Sequence, residues 1–182
     1  AFRTSLAYRQ PVRIMRVLSI DPALRKTGYA ILEETSPKTY RSICYGVIQN
    51  KPKVRHSMCL VAIREALVEV IEKFQPDCCA IEAIIYVQSH ATAIIMGAAR
   101  GASLLAAAEA GLMITEYAPR RVKQAVVGRG DADKAQVAYM VRALLGLTET
   151  PPPDAADALA IGLAHLYASD PTRAIKPASN DL

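Results

Sequence analysis

The sequence predicts an α/β fold built on a mixed five-stranded sheet with helices on both faces. Three observations lead there. Between Arg16 and Gln49, three runs of β-branched, aromatic and aliphatic residues are separated by turn signals, as in an antiparallel meander. Helix-period and strand-like segments then alternate as far as Tyr117, the pattern of parallel strands joined by crossover helices. Beyond Pro119 only helical patterns follow.

The first strand is the short apolar run of Val17, Leu18 and Ile20, and it stops at Asp21-Pro22 because proline cannot continue a central ladder. Thr27-Gly28 is expected to turn the chain into a second strand, Tyr29 to Glu34, leaving Asp21 at the edge of the core. An ionised carboxylate there needs a partner: Arg25 or Lys26 in a structural salt bridge, or a metal ion. Tyr40 to Gln49 forms the third strand, closed by Lys51-Pro52-Lys53.

From Ser57 to Phe74, Leu60, Ile63, Leu67, Val70, Ile71 and Phe74 recur at helical spacing opposite Glu65, Glu69, Glu72 and Lys73. Gln75-Pro76-Asp77 ends this helix. Cys78 to Ile85 reads as a strand covered on both faces, interrupted by Glu82, which is an ion-pair partner or a metal ligand. Its setting matches that of Asp21 on what should be the adjacent central strand, which favours the ligand. Ser89 to Gly111 is Ala-rich, with Gly97, Gly101 and Arg100, and reads as a long, mostly buried helix too interrupted and too weakly apolar for a membrane span. Its small residues allow close packing on the sheet and against a second subunit.

Leu112 to Tyr117 supplies the last strand, and Pro119 opens a short helix that ends near Gly128. Asp131 is a candidate cap for the helix 132–145, with Val137, Met140, Val141, Leu144 and Leu145 inward. A proline run delivers the chain to a final helix in which Asp154 and Asp157, three residues apart, face the same way. N-terminal capping explains Asp154 readily and Asp157 less well.

Composition narrows the chemistry. The 182 residues suit one domain, 16–167, preceded by a basic, acid-free extension, 1–15, and followed by a disordered tail, 168–182. The four cysteines form no CxxC pair, which argues against zinc and disulfides and for a reducing compartment. His56, His90 and His165 stand at no ligand-like spacing, so carboxylates remain as ligands and a hard cation such as magnesium or manganese as their ion. Of the net charge of +5, three positive charges come from Arg3, Arg9 and Arg13. Eight of the other cations gather in two places, Lys51, Lys53 and Arg55 in one, Arg120, Arg121, Lys123, Arg129 and Lys134 in the other, which suits a phosphate backbone as well as a solvated surface. There is no P-loop, nucleophile elbow or internal repeat.

With Asp21, Glu82, Asp154 and Asp157 in this order, the chain closely resembles the RuvC-type Holliday junction resolvases of the ribonuclease H-like superfamily. The resemblance spans most of 16–167 and is carried by Ile20-Asp21-Pro22 with Thr27-Gly28-Tyr29, Ile81-Glu82, Ala99-Arg100-Gly101, Val122 to Gly128 with Gly130, and Asp154 to Ala160. It implies a ribonuclease H-like sheet and a homodimer that binds a four-way DNA junction and nicks two strands symmetrically. The four acids would be ligands of two magnesium ions, with manganese able to substitute, and the RuvAB branch-migration machinery would be a partner. Lys123 and Lys134 match the family's basic residues near the scissile phosphate. Asp21 would bridge the ions, one shared with Asp154 or Asp157 to activate water, the other with Glu82 to stabilise the leaving 3′ oxygen.

The chain departs from the family in places. Ala23 replaces a glycine, Ser89 replaces an asparagine, and Ile85 stands where the family places an aromatic against junction bases, with Tyr86 one residue later. The sequence preference at the nick is therefore not carried over. The resemblance implies a cytoplasmic, nucleoid-associated protein and no membrane, while the Arg-rich arm is also compatible with an organellar address. Actin-like ATPases and sugar kinases share the segment around Asp21, but need a second similar domain. A non-catalytic junction binder would not need four acids, and a related nuclease acting on RNA is the remaining alternative.

Overall fold

The structure, a computed structural model, describes residues 15–85 and 89–168. The extension and tail expected at 1–15 and 168–182 thus fall, apart from Met15 and Ala168, outside the described residues, as does Tyr86. The sheet has five strands in the order β3-β2-β1-β4-β5, made of β1 (Arg16–Asp21), β2 (Lys26–Ser36), β3 (Thr39–Gln49), β4 (Cys78–Glu82) and β5 (Met113–Tyr117). The first three pair antiparallel, and β4 and β5 extend the sheet in parallel from β1.

Alternation along β1 and β4 decides which helices each residue meets. Leu18, Ile20, Cys79 and Ile81 point to one face, where α1 (His56–Phe74) and α2 (His90–Glu109) complete a core. Val17 and Ala80 point to the other, covered by α3 (Pro119–Val127), α4 (Lys134–Leu145) and α5 (Pro153–Ala168). Helix α5 is buried along nearly its whole length and lies directly on the sheet. Gly162 makes that possible, because a Cβ there would lie 2.5 Å from Leu32 Cδ1 and 2.8 Å from Ser19 Oγ.

Several boundaries differ from the sequence expectation. β4 ends at Glu82 rather than Ile85, since its neighbour β5 ends at Tyr117; one further bond, Ala83 N–H to the Tyr117 carbonyl, closes the ladder, and Ile85 lies exposed. Thr27 and Gly28 lie inside β2, and the turn falls at Pro22 to Arg25. Asp133, not Asp131, caps α4, in a reciprocal capping box with Gln136, while Asp131 pairs with Arg129 and Leu144 is exposed. Helix α2 departs from the expectation of a mostly buried helix: only Ala99, Ser103, Ala106 and Ala107 are buried, whereas Ile94 is 72% exposed. By length and composition alone it is also apolar enough to cross a membrane, against expectation. In this fold it packs on α1 and carries Arg100 in an ion pair with Glu116 of β5.

Beneath α5, His165 is mostly buried between the Cys78 thiol, 3.4 Å from Nε2, and the Tyr117 hydroxyl, 3.1 Å from Nδ1. Burial lowers its pKa to about 4, so the imidazole is held neutral. The unfolded chain therefore binds an extra proton between about 4 and the ordinary 6.5. The stabilisation is complete above the upper value and is lost as pH falls through the window, by at most about 3 kcal/mol. Urea unfolding at stepwise lower pH should show this loss, and His165→Gln should flatten it.

Candidate active site

The alternation that builds the core also builds the site. Val17 and Ser19 face α5, so Asp21 does too; on β4, Ala80 and then Glu82 follow the same rule. With Ile20 opposite Ile81 in the parallel register, the next residues along, Asp21 and Glu82, emerge side by side at the carboxyl ends of adjacent strands. The first two turns of α5 bring Asp154 and Asp157 towards the same edge, where both act on Asp21.

The four acids influence one another. Asp21 is pushed up to about 7, first by burial, then by repulsion from Asp157, with Asp154 adding to it. Glu82 is pushed up to about 8, again by burial and then by Asp21 and Asp157. Opposing this is Lys134, whose ammonium donates to Asp157 Oδ2 at 2.9 Å and lowers both of the raised acids. Lys123 on α3 also lowers Glu82.

No salt bridge reaches Asp21 or Glu82 among the described residues. Neither of the expected partners serves Asp21: Arg25 bonds instead to the carbonyls of Lys51 and Val54, and Lys26 is exposed. Glu33 makes the contrast. It is 1% exposed at the opposite end of the sheet, and Arg16 at 3.1 Å and Arg41 at 2.5 Å hold it from two neighbouring strands. A structural buried carboxylate in this fold is given two arginines, whereas among the site acids the one direct ion pair is that of Lys134 with Asp157.

Among the described residues no three acidic, histidine or cysteine side chains are drawn into a closed metal-ligating group. The cluster is open, made wholly of oxygen donors, and carries more negative charge than Lys134 offsets. That chemistry fits a hard divalent cation, whose charge would relieve the repulsion.

Two residues outside the acid set position it. Thr27, fully buried, ties the turn after Asp21 by donating to the Ala23 carbonyl at 2.6 Å and accepting from Ala23 N–H at 3.3 Å. Gly28 lies opposite Asp21 on β2, and a Cβ on it would meet the Asp154 carbonyl oxygen at 1.9 Å. A Thr-Gly pair read as a turn signal is thus a clamp and a contact surface. Ala23 has no left-handed backbone, so glycine is not required there, and Ser89 caps α2 by accepting from Thr92 N–H at 3.2 Å, as an asparagine would.

Arg120, Arg121 and Arg129 are exposed on and just after α3, the helix that carries Lys123, with Gly130 packed on Arg120 and Arg129 paired with Asp131. Lys51, Lys53 and Arg55 are exposed in the β3–α1 loop, at the same end of the sheet as Asp21, since Gln49 pairs with Lys26. Ile85 is 67% exposed just past Glu82.

The model of the family described as crossover junction endodeoxyribonuclease RuvC matches residues 17–165. The chain belongs to the RuvC family. A relative from Akkermansia muciniphila is 58% identical over 88% of this chain and 95% of its own length, and one from Caldicellulosiruptor saccharolyticus is 42% identical over 85% and 94%. Both are named crossover junction endodeoxyribonuclease RuvC. Among solved structures, Thermus thermophilus RuvC in complex with a Holliday junction substrate superposes with a TM-score of 0.82 at 35% identity, covering 90% of this chain and 99% of that one. The family and the ribonuclease H-like sheet expected from the sequence are thereby shown.

Proposed function

We propose that the protein is a structure-selective endodeoxyribonuclease that binds four-way DNA junctions as a homodimer and resolves them by paired symmetric nicks, in recombination and repair. The observation carrying this is the shared edge of β1, β4 and α5, where Asp21 and Glu82 emerge side by side, feel the charge of Asp157 and, at Asp21, of Asp154, and are offset only by Lys134 and Lys123. RuvC relatives across nearly the whole chain support the junction as substrate over RNA and over a non-catalytic binder.

Asp21, Glu82, Asp154 and Asp157 would hold two magnesium ions, or manganese in their place, which supply water activation and stabilisation of the departing 3′ oxygen. The chain's own groups do the rest. Lys134, which here donates to Asp157, would be free to meet a phosphate oxygen once a cation offsets that carboxylate, and Lys123, which also acts on Glu82, would be the second such group. Arg120, Arg121 and Arg129, with Lys51, Lys53 and Arg55, extend positive charge along the backbone path. Ile85, exposed just past Glu82, is the surface for an unstacked base, and Tyr86 follows it in the sequence. The dimer contact is α2, whose Ile94 and Leu105 are exposed on a helix rich in Gly and Ala. The four free cysteines suit a reducing cytoplasm, and a branch-migration complex of the RuvAB type is the partner that would deliver junctions.

Purified protein should nick a synthetic mobile junction in magnesium, not in chelator, and leave linear duplex largely intact. Equal cleavage of linear duplex or of structured RNA would remove the resolvase assignment and leave only a nuclease. Light scattering at micromolar concentration should give a dimer; a monomer that still resolves junctions would rule out α2 as a required contact.

A further inference from the structure

Two loops at the catalytic end of the sheet are fastened to each other by side chains to which the chemistry above gives no task. One is the Pro22 to Arg25 turn that follows Asp21; the other is the loop from Asn50 to Arg55 that leads into α1. Arg25 Nη1 donates to the carbonyls of Lys51 at 2.7 Å and Val54 at 3.0 Å and lies 3.3 Å from the Cys59 thiol. Asn50 binds back to the turn. Its backbone N–H donates to the Arg25 carbonyl at 2.9 Å, and its side-chain amide donates to the Leu24 carbonyl at 2.9 Å and the Cys59 carbonyl at 3.4 Å. Asn50 is 8% exposed and Leu24 7%, so the clasp is anchored in the core beneath α1.

The clasped loop carries three exposed cations, Lys51, Lys53 and Arg55, and no acid. Among the described residues none of the three has an ion-pair partner. An arginine that spends its donors on main-chain carbonyls fixes backbone shape, not surface charge. Backbone held in one shape presents its cations without first having to be ordered by the ligand.

We infer that Arg25 is a positioning residue which, with Asn50, fastens the Lys51 to Arg55 loop to the turn after Asp21 and holds it as a preformed surface for a DNA phosphate backbone beside the acid cluster. The inference rests on the junction-binding reading above. It separates two tasks: the loop's cations touch DNA, and Arg25 acts through them.

A double-mutant cycle tests this, read as junction affinity in calcium or chelator and as single-turnover nicking at saturating protein. Arg25→Ala should weaken binding by about tenfold while the saturated nicking rate stays within about threefold. The loop variant K51A/K53A/R55A should weaken binding and make its salt dependence shallower by up to about three units. Adding Arg25→Ala to it should then cost less than about twofold, because the residue no longer has cations to position. Arg25→Lys, one bond shorter but able to reach one carbonyl, should recover part of the loss, and it carries the cycle if the alanine variant does not fold. An equal penalty from Arg25 in both backgrounds would make the clasp merely structural and overturn the inference while sparing the loop as a DNA-binding surface. Unchanged affinity in the loop variant would overturn both.

Discussion

Asp21→Asn and Glu82→Gln should each lower magnesium-dependent junction nicking by about a thousandfold or more, with junction affinity held or raised, because the amide keeps shape and removes ligand charge. The same variants should be more stable than the parent protein without metal. The sign follows from the raised pKa values, about 7 and about 8: the folded state keeps a proton that the unfolded chain gives up near 4, so each carboxylate destabilises the fold increasingly as pH rises through that interval. At neutral pH an amide removes that penalty, and the melting temperature should rise by roughly a few degrees. Structural ion-pair partners behave oppositely, so a lower melting temperature with normal nicking would end the site assignment. Lys134→Ala and Lys123→Ala should instead weaken binding and flatten its salt dependence by about one unit for each phosphate no longer neutralised, and an added loss of rate would mark the lysine that acts in the reaction.

Gly28→Ala should be nearly as damaging, although it touches no ligand. The added methyl would sit 1.9 Å from the Asp154 carbonyl oxygen and 2.6 Å from its carbon. Both are main-chain atoms at the start of a helix buried along its length, so no side-chain rotation relieves the clash. The start of α5 has to lift, carrying Asp154 and with it Asp157 away from Asp21 and Glu82. A destabilisation of about 2 kcal/mol or more and a loss of nicking of about a hundredfold are expected, the latter because small displacements of reacting groups are costly. A folded Gly28→Ala variant with full activity would show that α5 does not depend on this close approach.

Much of the fold can be read from residue order. The short apolar runs on either side of Asp21, the helical spacing of Ile63, Leu67 and Ile71, and Pro119 at a helix start all signal locally, and local signals survive folding. Asp21 and Glu82 stand out because a carboxylate that interrupts or ends an apolar strand conflicts with its surroundings, and Asp157 because it is followed by a wholly apolar helix. Glu33 escapes notice for the complementary reason: its partners Arg16 and Arg41 lie on other strands, and pairing across strands leaves no mark at short range. Gly28 misleads in the same way, since Thr-Gly resembles a turn unless the helix from 153 is known to land on it. Arg25 next to Asp21 suggests a salt bridge, yet the turn aims its guanidinium at the loop 26 residues away. The outer face of α2 is equally hard to read, because a stripe of alanines looks the same whether covered by its own chain or by another.

The placement of α5 has a consequence for how the protein is made. Two of the four acids are carried by the last described helix, while the strands they must meet are complete by Tyr117. During synthesis the sheet and its first two helices can form while the nascent chain lacks half of its ligand set, and the face that α5 will cover stays open. With the ligand set proposed above, the ribosome-bound chain is expected not to cut until residues near 157 have emerged. On that assignment, hydrolytic competence arrives with the same step that buries the second core, and a chain truncated before α5 should neither fold fully nor cut.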